Sequence, residues 1–152
     1  MTKQGDGKIV VYTIGYEGMD IDEFIRTLKI NGIEQILDVR EIPISRKVGF
    51  SKSKLESRLV SDGIRYIHMK ELGSPKEIRE KLHATHDYKE FFDSYRYYIG
   101  SNFSYIQDAW ERVLEYCTCL MCFEKKPEEC HRSVVAEYLL TTMPLISEVR
   151  HL

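Results

Sequence analysis

The sequence predicts an α/β domain of three layers, a mostly parallel sheet of about four or five strands flanked by helices. Short β-branched runs alternate along the chain with segments of helical period, the pattern of βαβ units joined by right-handed crossovers. The first run, Ile9 to Ile14, lacks the in–out alternation of a half-exposed strand, so both faces of the sheet are expected to be covered. With 152 residues the chain suits one domain with a real core, and residues 1–152 are read as that single domain.

Gly15-Tyr-Glu-Gly18 ends the first strand. Asp20 and Glu23 have the spacing of a capping box, ahead of Ile21, Phe24, Ile25 and Leu28 at helical intervals. Gly32 closes that helix. Gln35 to Val39 is the second strand and leads into Asp38-Val-Arg40. Beyond Pro43, Ser53 and Glu56 are expected to cap a helix carrying Leu55, Leu59 and Val60, with Gly63 at its end. Ile64 to His68 is the third strand. Ser74-Pro75 opens a short helix as N-cap and first-turn proline. Asp87 and Glu90 open another, whose buried stripe is Phe91, Phe92, Tyr95, Tyr98 and Ile99. Gly100-Ser-Asn102 turns into a third, with Phe103, Ile106, Trp110, Val113, Leu114 and Cys117 on one side. Cys119 to Phe123 is the fourth strand, Arg132 to Leu140 a helix, and Glu148 to Leu152 a short fifth strand after Pro144.

Apolar residues at 43% and charged residues at 30% exclude wholesale disorder. A formal net charge of -2 supplies no global basic field, so a nucleic-acid role would need a local patch. Met1 to Lys8 is polar and too short for a signal peptide, and no apolar run approaches the roughly 18 residues of a membrane span. A cytoplasmic location without membrane association is expected. Cys117, Cys119, Cys122 and Cys130 are expected as reduced thiols, because the chain is large enough to have a core.

Parallel sheets of this class bind ligands outside the carboxyl ends of their strands. The four loops expected there hold Tyr16, Asp38, Arg40, Ser45, Arg46, His68, Glu124, Cys130, His131 and Arg132. Cys130, His131 and Arg132 also sit at the start of a helix, where free N–H groups and the helix dipole favour an anion. Arg40, Arg46 and Arg132 suit bidentate recognition of phosphate or carboxylate.

No metal is expected. Cys119-x-x-Cys122 lies within a strand, where residues three apart point to opposite faces, and adjacent Cys130 and His131 chelate awkwardly. No cofactor is expected either, since Gly15-x-x-Gly18 is not the dinucleotide fingerprint and no phosphate-loop Gly-Lys-Ser/Thr occurs. The Asp38-Val-Arg40 strand end resembles that of rhodaneses, but Ala136 stands where a phosphate-type loop would place Arg six residues after Cys130.

Thr13-Ile-Gly-Tyr16, Asp38-Val-Arg40 with Pro43 and Ser45-Arg46, Tyr66-x-His68 with Leu72-Gly73, and Cys122-x-Glu124 with Pro127 and Cys130-His-Arg132 run through nearly the whole chain in order. In that combination the chain resembles the domain of unknown function 488 family, although Tyr16 stands where many relatives carry His. The resemblance implies an α/β fold and a shared pocket, and supplies no established reaction.

The expectation is an enzyme acting on an anionic, phosphate-bearing substrate, a nucleotide or nucleic-acid end. Arg40, Arg46 and Arg132 would hold the anion with Tyr16, Ser45 and Tyr66. Cys130 is the candidate nucleophile, Asp38 and Glu124 are candidate acid–base groups, and His131 or His68 would carry a proton. The alternative is a non-catalytic nucleic-acid or nucleotide-binding module. For it, Arg46, Lys47, Lys52, Lys54 and Arg58 would form a basic surface with Phe50 among them for stacking. A third reading is a partner-docking protein whose arginines only brace its loops.

Overall fold

The computed structural model describes residues 7–152; the first six residues of the polar N-terminal stretch lie outside the described residues. Five strands, β1 (Ile9–Gly15), β2 (Gln35–Asp38), β3 (Arg65–His68), β4 (Thr118–Cys122) and β5 (Ile146–His151), form one all-parallel sheet in the order β3-β2-β4-β1-β5. Between them run α1 (Ile21–Ile30), α2 (Lys52–Ser61), α3 (Lys76–Thr85), α4 (Tyr88–Gly100), α5 (Ser104–Glu115) and α6 (Arg132–Thr142).

Strand alternation divides the core into two layers. Tyr12, Ile14, Ile36, Cys119 and Met121 pack with Phe24 and Leu28 of α1 and Leu55 and Leu59 of α2. Val11, Leu37, Leu120 and Cys122 face the other way, toward Tyr95 of α4, Ile106 of α5 and Val135 of α6. Each such fully buried side chain removes enough apolar surface from water to contribute about 1.5–3 kcal/mol. The sheet is therefore covered on both faces, which explains why β1 and β4 read as continuous apolar runs.

The helix starts separate what local sequence decides from what packing decides. At α1 the capping box is present, with Glu23 N donating to Asp20 Oδ1 at 2.8 Å and Glu23 Oε2 accepting from Asp20 N at 3.3 Å. At α2 the expected start at Ser53 is corrected: the N-cap is Ser51. The Ser51 hydroxyl is taken by the preceding loop, donating to Ser45 O and accepting from Ser45 N, so it pins that loop instead of capping the helix. At α3 the N-cap is Pro75 itself, whose carbonyl accepts from Ile78 N and Arg79 N. Gly32 and Gly63 follow α1 and α2 with φ of 69° and 78°, the left-handed turn that only glycine adopts without strain.

Register brings Gly15 level with Cys122, and Asp38 level with both Met121 and His68. The carboxyl ends of β1, β4, β2 and β3 thus form one edge, and the loops after them open together. No helix among the described residues is long and apolar enough to cross a membrane.

Candidate functional site

A crevice of about 690 Å³ opens outside the carboxyl ends of β1, β4 and β2. Tyr16 and Glu17 line it from β1, Arg40, Ser45, Arg46 and Lys47 from β2, and Cys122, Glu124 and His131 from β4 and the start of α6. Helices α3 and α4 close its far side with His83, His86 and Phe91. A smaller cavity of about 160 Å³ lies between α3 and α4, but its Lys81 is already paired with Glu90, and none of the expected site residues reaches it.

Arg40 and Asp38 form a buried ion pair beside this crevice. Arg40 Nε and Nη2 donate to the two Asp38 oxygens at 2.9 and 2.7 Å, and Tyr66 adds its hydroxyl at 2.6 Å. Asp38 also accepts from the Arg40 backbone N–H at 3.1 Å, so the carboxylate is saturated. Burial, followed by the Asp38 charge, pushes the Tyr66 hydroxyl above its ordinary value. The remaining Arg40 nitrogen, Nη1, donates to the Tyr16 hydroxyl at 3.1 Å and to Phe50 O at 2.8 Å. Asp38 is thereby corrected from an acid–base group to the anchor that aims Arg40. Tyr66 bonds the same carboxylate and is not part of the crevice lining.

The loop after β2 carries the free positive charge. Arg46 is exposed and has no ion-pair partner among the described residues. Among the described residues Lys47 Nζ donates only to backbone carbonyls, Met19 O at 2.5 Å and Tyr16 O at 3.4 Å, and no carboxylate there neutralises its charge. Ser45 Oγ accepts from Lys47 N at 3.1 Å, which shapes the turn presenting Arg46 to the crevice.

The floor is built where β4 meets α6. The sulfurs of Cys122 and Cys130 and a ring nitrogen of His131 lie within 4.8 Å of one another. Cys119 and Cys122 do point to opposite faces of the sheet, as alternation requires. The expectation that Cys130 and His131 chelate awkwardly is corrected. Cys130 is extended (φ -132°, ψ 136°) whereas His131 is already helical (φ -60°, ψ -20°), and this change of backbone turns both side chains toward Cys122. His131 Nε2 donates to Val39 O at 2.7 Å, which leaves Nδ1 as the lone-pair atom of the neutral ring. These three residues could hold a metal ion.

Electrostatics in this floor are strongly perturbed. Burial opposes a Cys130 thiolate, but a hydrogen bond from Cys122, the His131 charge and hydrogen bond, and the Arg132 charge outweigh it and hold Cys130 well below the ordinary thiol value. Cys122, donating to Cys130 and buried, is held well above it. Burial lowers His131, yet the neighbouring Cys130 and the Val39 carbonyl leave it raised. Burial, with the Cys130 charge adding to it, pushes Glu124 up to about 7. Glu124 Oε2 is buried without a hydrogen-bond partner among the described residues. Cys130 is only 1% exposed and lies beneath the crevice, whose lining includes its neighbours Cys122 and His131 but not Cys130 itself.

Arg132 does not share the pocket, which corrects the three-arginine grouping. It is 0% exposed, and its guanidinium donates to Thr13 Oγ1 and Lys125 O, each at 3.2 Å, and to Glu124 O. As the first residue of α6 it points back onto β1, where a brace for the loop after β4 is needed. Gly15 makes room for that loop: a Cβ there would lie 1.7 Å from Glu124 O. His68, with Nε2 at 2.7 Å from Arg40 O, fixes the strand end outside the crevice. The basic surface is corrected as well. Phe50 is fully buried and stacked on Tyr16 at 4.3 Å, Arg58 is bonded to Asp22 and Asp62, and Arg46 and Lys47 belong to the crevice, which leaves Lys52 and Lys54 on α2 as exposed residues without an ion pair among the described residues.

Cys122 was not among the expected site residues, and Lys47 was expected only on the alternative basic surface and not in the crevice. Lys47 carries no signal beyond its place beside Arg46. The Cys122-x-Glu124 spacing was a usable signal for the other, since it puts Cys122 at the strand end. No curated protein and no solved structure matches the chain. The family model described as domain of unknown function DUF488 matches residues 20–139, from the α1 capping box to Leu139 of α6, and the chain belongs to that family.

Proposed function

We propose that this protein is an enzyme acting on an anionic, phosphate-bearing substrate, a nucleotide or a nucleic-acid end, held in the crevice at the carboxyl ends of the strands. The observation that carries the reading is that one crevice joins the unpaired Arg46 guanidinium to Glu124 and His131. A flexible arginine without a carboxylate partner is a ready donor to phosphate oxygens. Lys47 adds charge that no carboxylate offsets among the described residues, and the neutralised Arg40–Asp38 pair fixes the wall beside it. Glu124, whose Oε2 at the floor has no hydrogen-bond partner among the described residues, is the acid–base group within reach of a bound ligand.

The test is a titration of mononucleotides and 5′-phosphorylated oligonucleotides against the wild type, Arg46→Ala and Glu124→Gln, with products read by mass spectrometry. Arg46→Ala is expected to weaken binding by about 10–100-fold, the worth of a hydrogen bond to a charged group. Glu124→Gln should bind as the wild type does and lose turnover. Binding indifferent to Arg46→Ala would overturn the reading. Binding that depends on Arg46 with no product from any substrate would leave a nucleotide-binding module.

A further inference from the structure

We infer that Cys122, Cys130 and His131 bind a thiophilic divalent cation such as zinc, with an open coordination position facing the crevice. The donors come from two segments that the fold alone brings together, the end of β4 and the entry to α6. Their ligand atoms lie within 4.8 Å of one another. Tetrahedral zinc, with bonds of about 2.3 Å to sulfur and about 2.0–2.1 Å to nitrogen, needs such atoms roughly 3.5–3.8 Å apart. Small rotations of the side chains close that gap.

Three further features suit a cation. His131 commits Nε2 to the Val39 carbonyl at 2.7 Å, the outer hydrogen bond that orients a metal-ligating histidine and leaves Nδ1 for the ion. All three residues are 5% exposed or less, and two thiolates with one neutral imidazole cancel the charge of a dication in a place where net charge is costly. Three protein donors leave a fourth position, as in catalytic zinc sites, whereas structural sites use four. Cys122 and His131 line the crevice, and so does Glu124, whose buried Oε2 has no partner. The fourth position therefore opens where the proposed anion binds. Cys117 and Cys119 pack in the core layer on the opposite face and take no part.

Cation binding is read without any substrate, and the Arg46 titration is read without added metal, so either inference can fail alone. The chelated and reduced chain is titrated anaerobically with Co²⁺, and then with Zn²⁺ as competitor. One Co²⁺ per chain is expected, with thiolate-to-cobalt charge-transfer bands in the near ultraviolet, tetrahedral visible bands, and loss of both on adding one equivalent of Zn²⁺. Cys122→Ser and Cys130→Ser should each weaken the charge-transfer bands, while Cys119→Ser should leave them intact. If those variants fail to fold, the wild-type spectrum still decides. A wild-type protein without charge-transfer bands, or with bands unchanged in a folded Cys122→Ser variant, would overturn the inference. So would a reduced chain that takes up no metal but forms a Cys122–Cys130 disulfide on treatment with a hydroperoxide, since the pair would then be a redox dithiol.

Discussion

Arg40 turns back on Asp38, two residues earlier in the chain, so that one guanidinium edge grips both oxygens of a carboxylate that is 0% exposed. Removing one partner strands the other as an unpaired buried charge, which costs about 3–5 kcal/mol. Asp38→Asn and Arg40→Ala are each expected to fall in that range in urea denaturation. Tyr66→Phe, losing one hydrogen bond to the same carboxylate, should cost about 1.5–3 kcal/mol. The double change Asp38→Asn with Arg40→Met should recover part of the single losses.

Arg132 and Arg46 should separate cleanly by stability. Arg132→Ala leaves two backbone carbonyls and the Thr13 hydroxyl short of their donor, so a loss of about 3–5 kcal/mol is expected. Arg132→Lys should recover little, because one ammonium cannot reproduce the planar fork. Arg46→Ala, on an exposed and unpaired side chain, should stay within about 0.5 kcal/mol of the wild type. Midpoints of chemical denaturation compare the three.

Gly15→Ala tests the closest backbone approach in the site. The added methyl would meet the Glu124 carbonyl carbon at 2.4 Å as well as its oxygen, so the loop after β4 must move away from β1. Overpacking of this kind costs about 1–3 kcal/mol or more. Because the same loop carries Glu124, the variant should also weaken phosphate-ligand binding, read in the titration used for Arg46→Ala. A Gly15→Ala protein of unchanged stability would show that the loop is not held there.

Salt dependence should favour the pocket over an extended surface. A single-phosphate grip should show a log–log slope near one, since each phosphate contact adds about 0.7–0.9. With Phe50 buried beneath Tyr16, Arg58 occupied by Asp22 and Asp62, and Arg46 and Lys47 placed at the crevice, α2 offers Lys52 and Lys54 to track a strand. A mononucleotide should therefore bind about as well as an oligonucleotide across a salt series. A steep slope that collapses on Lys52→Ala and Lys54→Ala would point to the surface instead.

Asp62 predicts a pH signature. Hydrogen bonds from Lys29, then from Arg58, hold its carboxyl below its ordinary 3.8. A folded-state value depressed below the unfolded one gives stability that is fully present above the unfolded value and is lost as pH falls through the folded one. Asp62→Asn should thus destabilise the protein slightly at neutral pH. That difference should shrink in parallel denaturation series as pH falls below 3.8 and through the depressed folded value. A difference that persisted in acid would mean that packing, and not charge, carries the effect.

The sequence by itself determined the elements and the edge on which chemistry gathers. The Asp20–Glu23 capping box, Gly32 and Gly63 work through hydrogen bonds and φ angles within a few residues, and they stand in the structure as the chain reads. Alternating strand and helix likewise dictate a parallel sheet, and a parallel sheet dictates that Tyr16, Arg40 and Glu124 open on one side. Tertiary packing decided which residues on that edge meet a ligand. Ser51 surrendered its helix cap to hold Ser45, Phe50 went under Tyr16, and Arg132 turned onto the carbonyls beside Gly15. Each of those outcomes depends on a partner at least six residues away, through burial and hydrogen bonds that no local spacing encodes. The meeting of Cys122 with Cys130 and His131 is of the same kind. Strand alternation excludes Cys119, but only the docking of α6 against β4 brings the other three donors to one point.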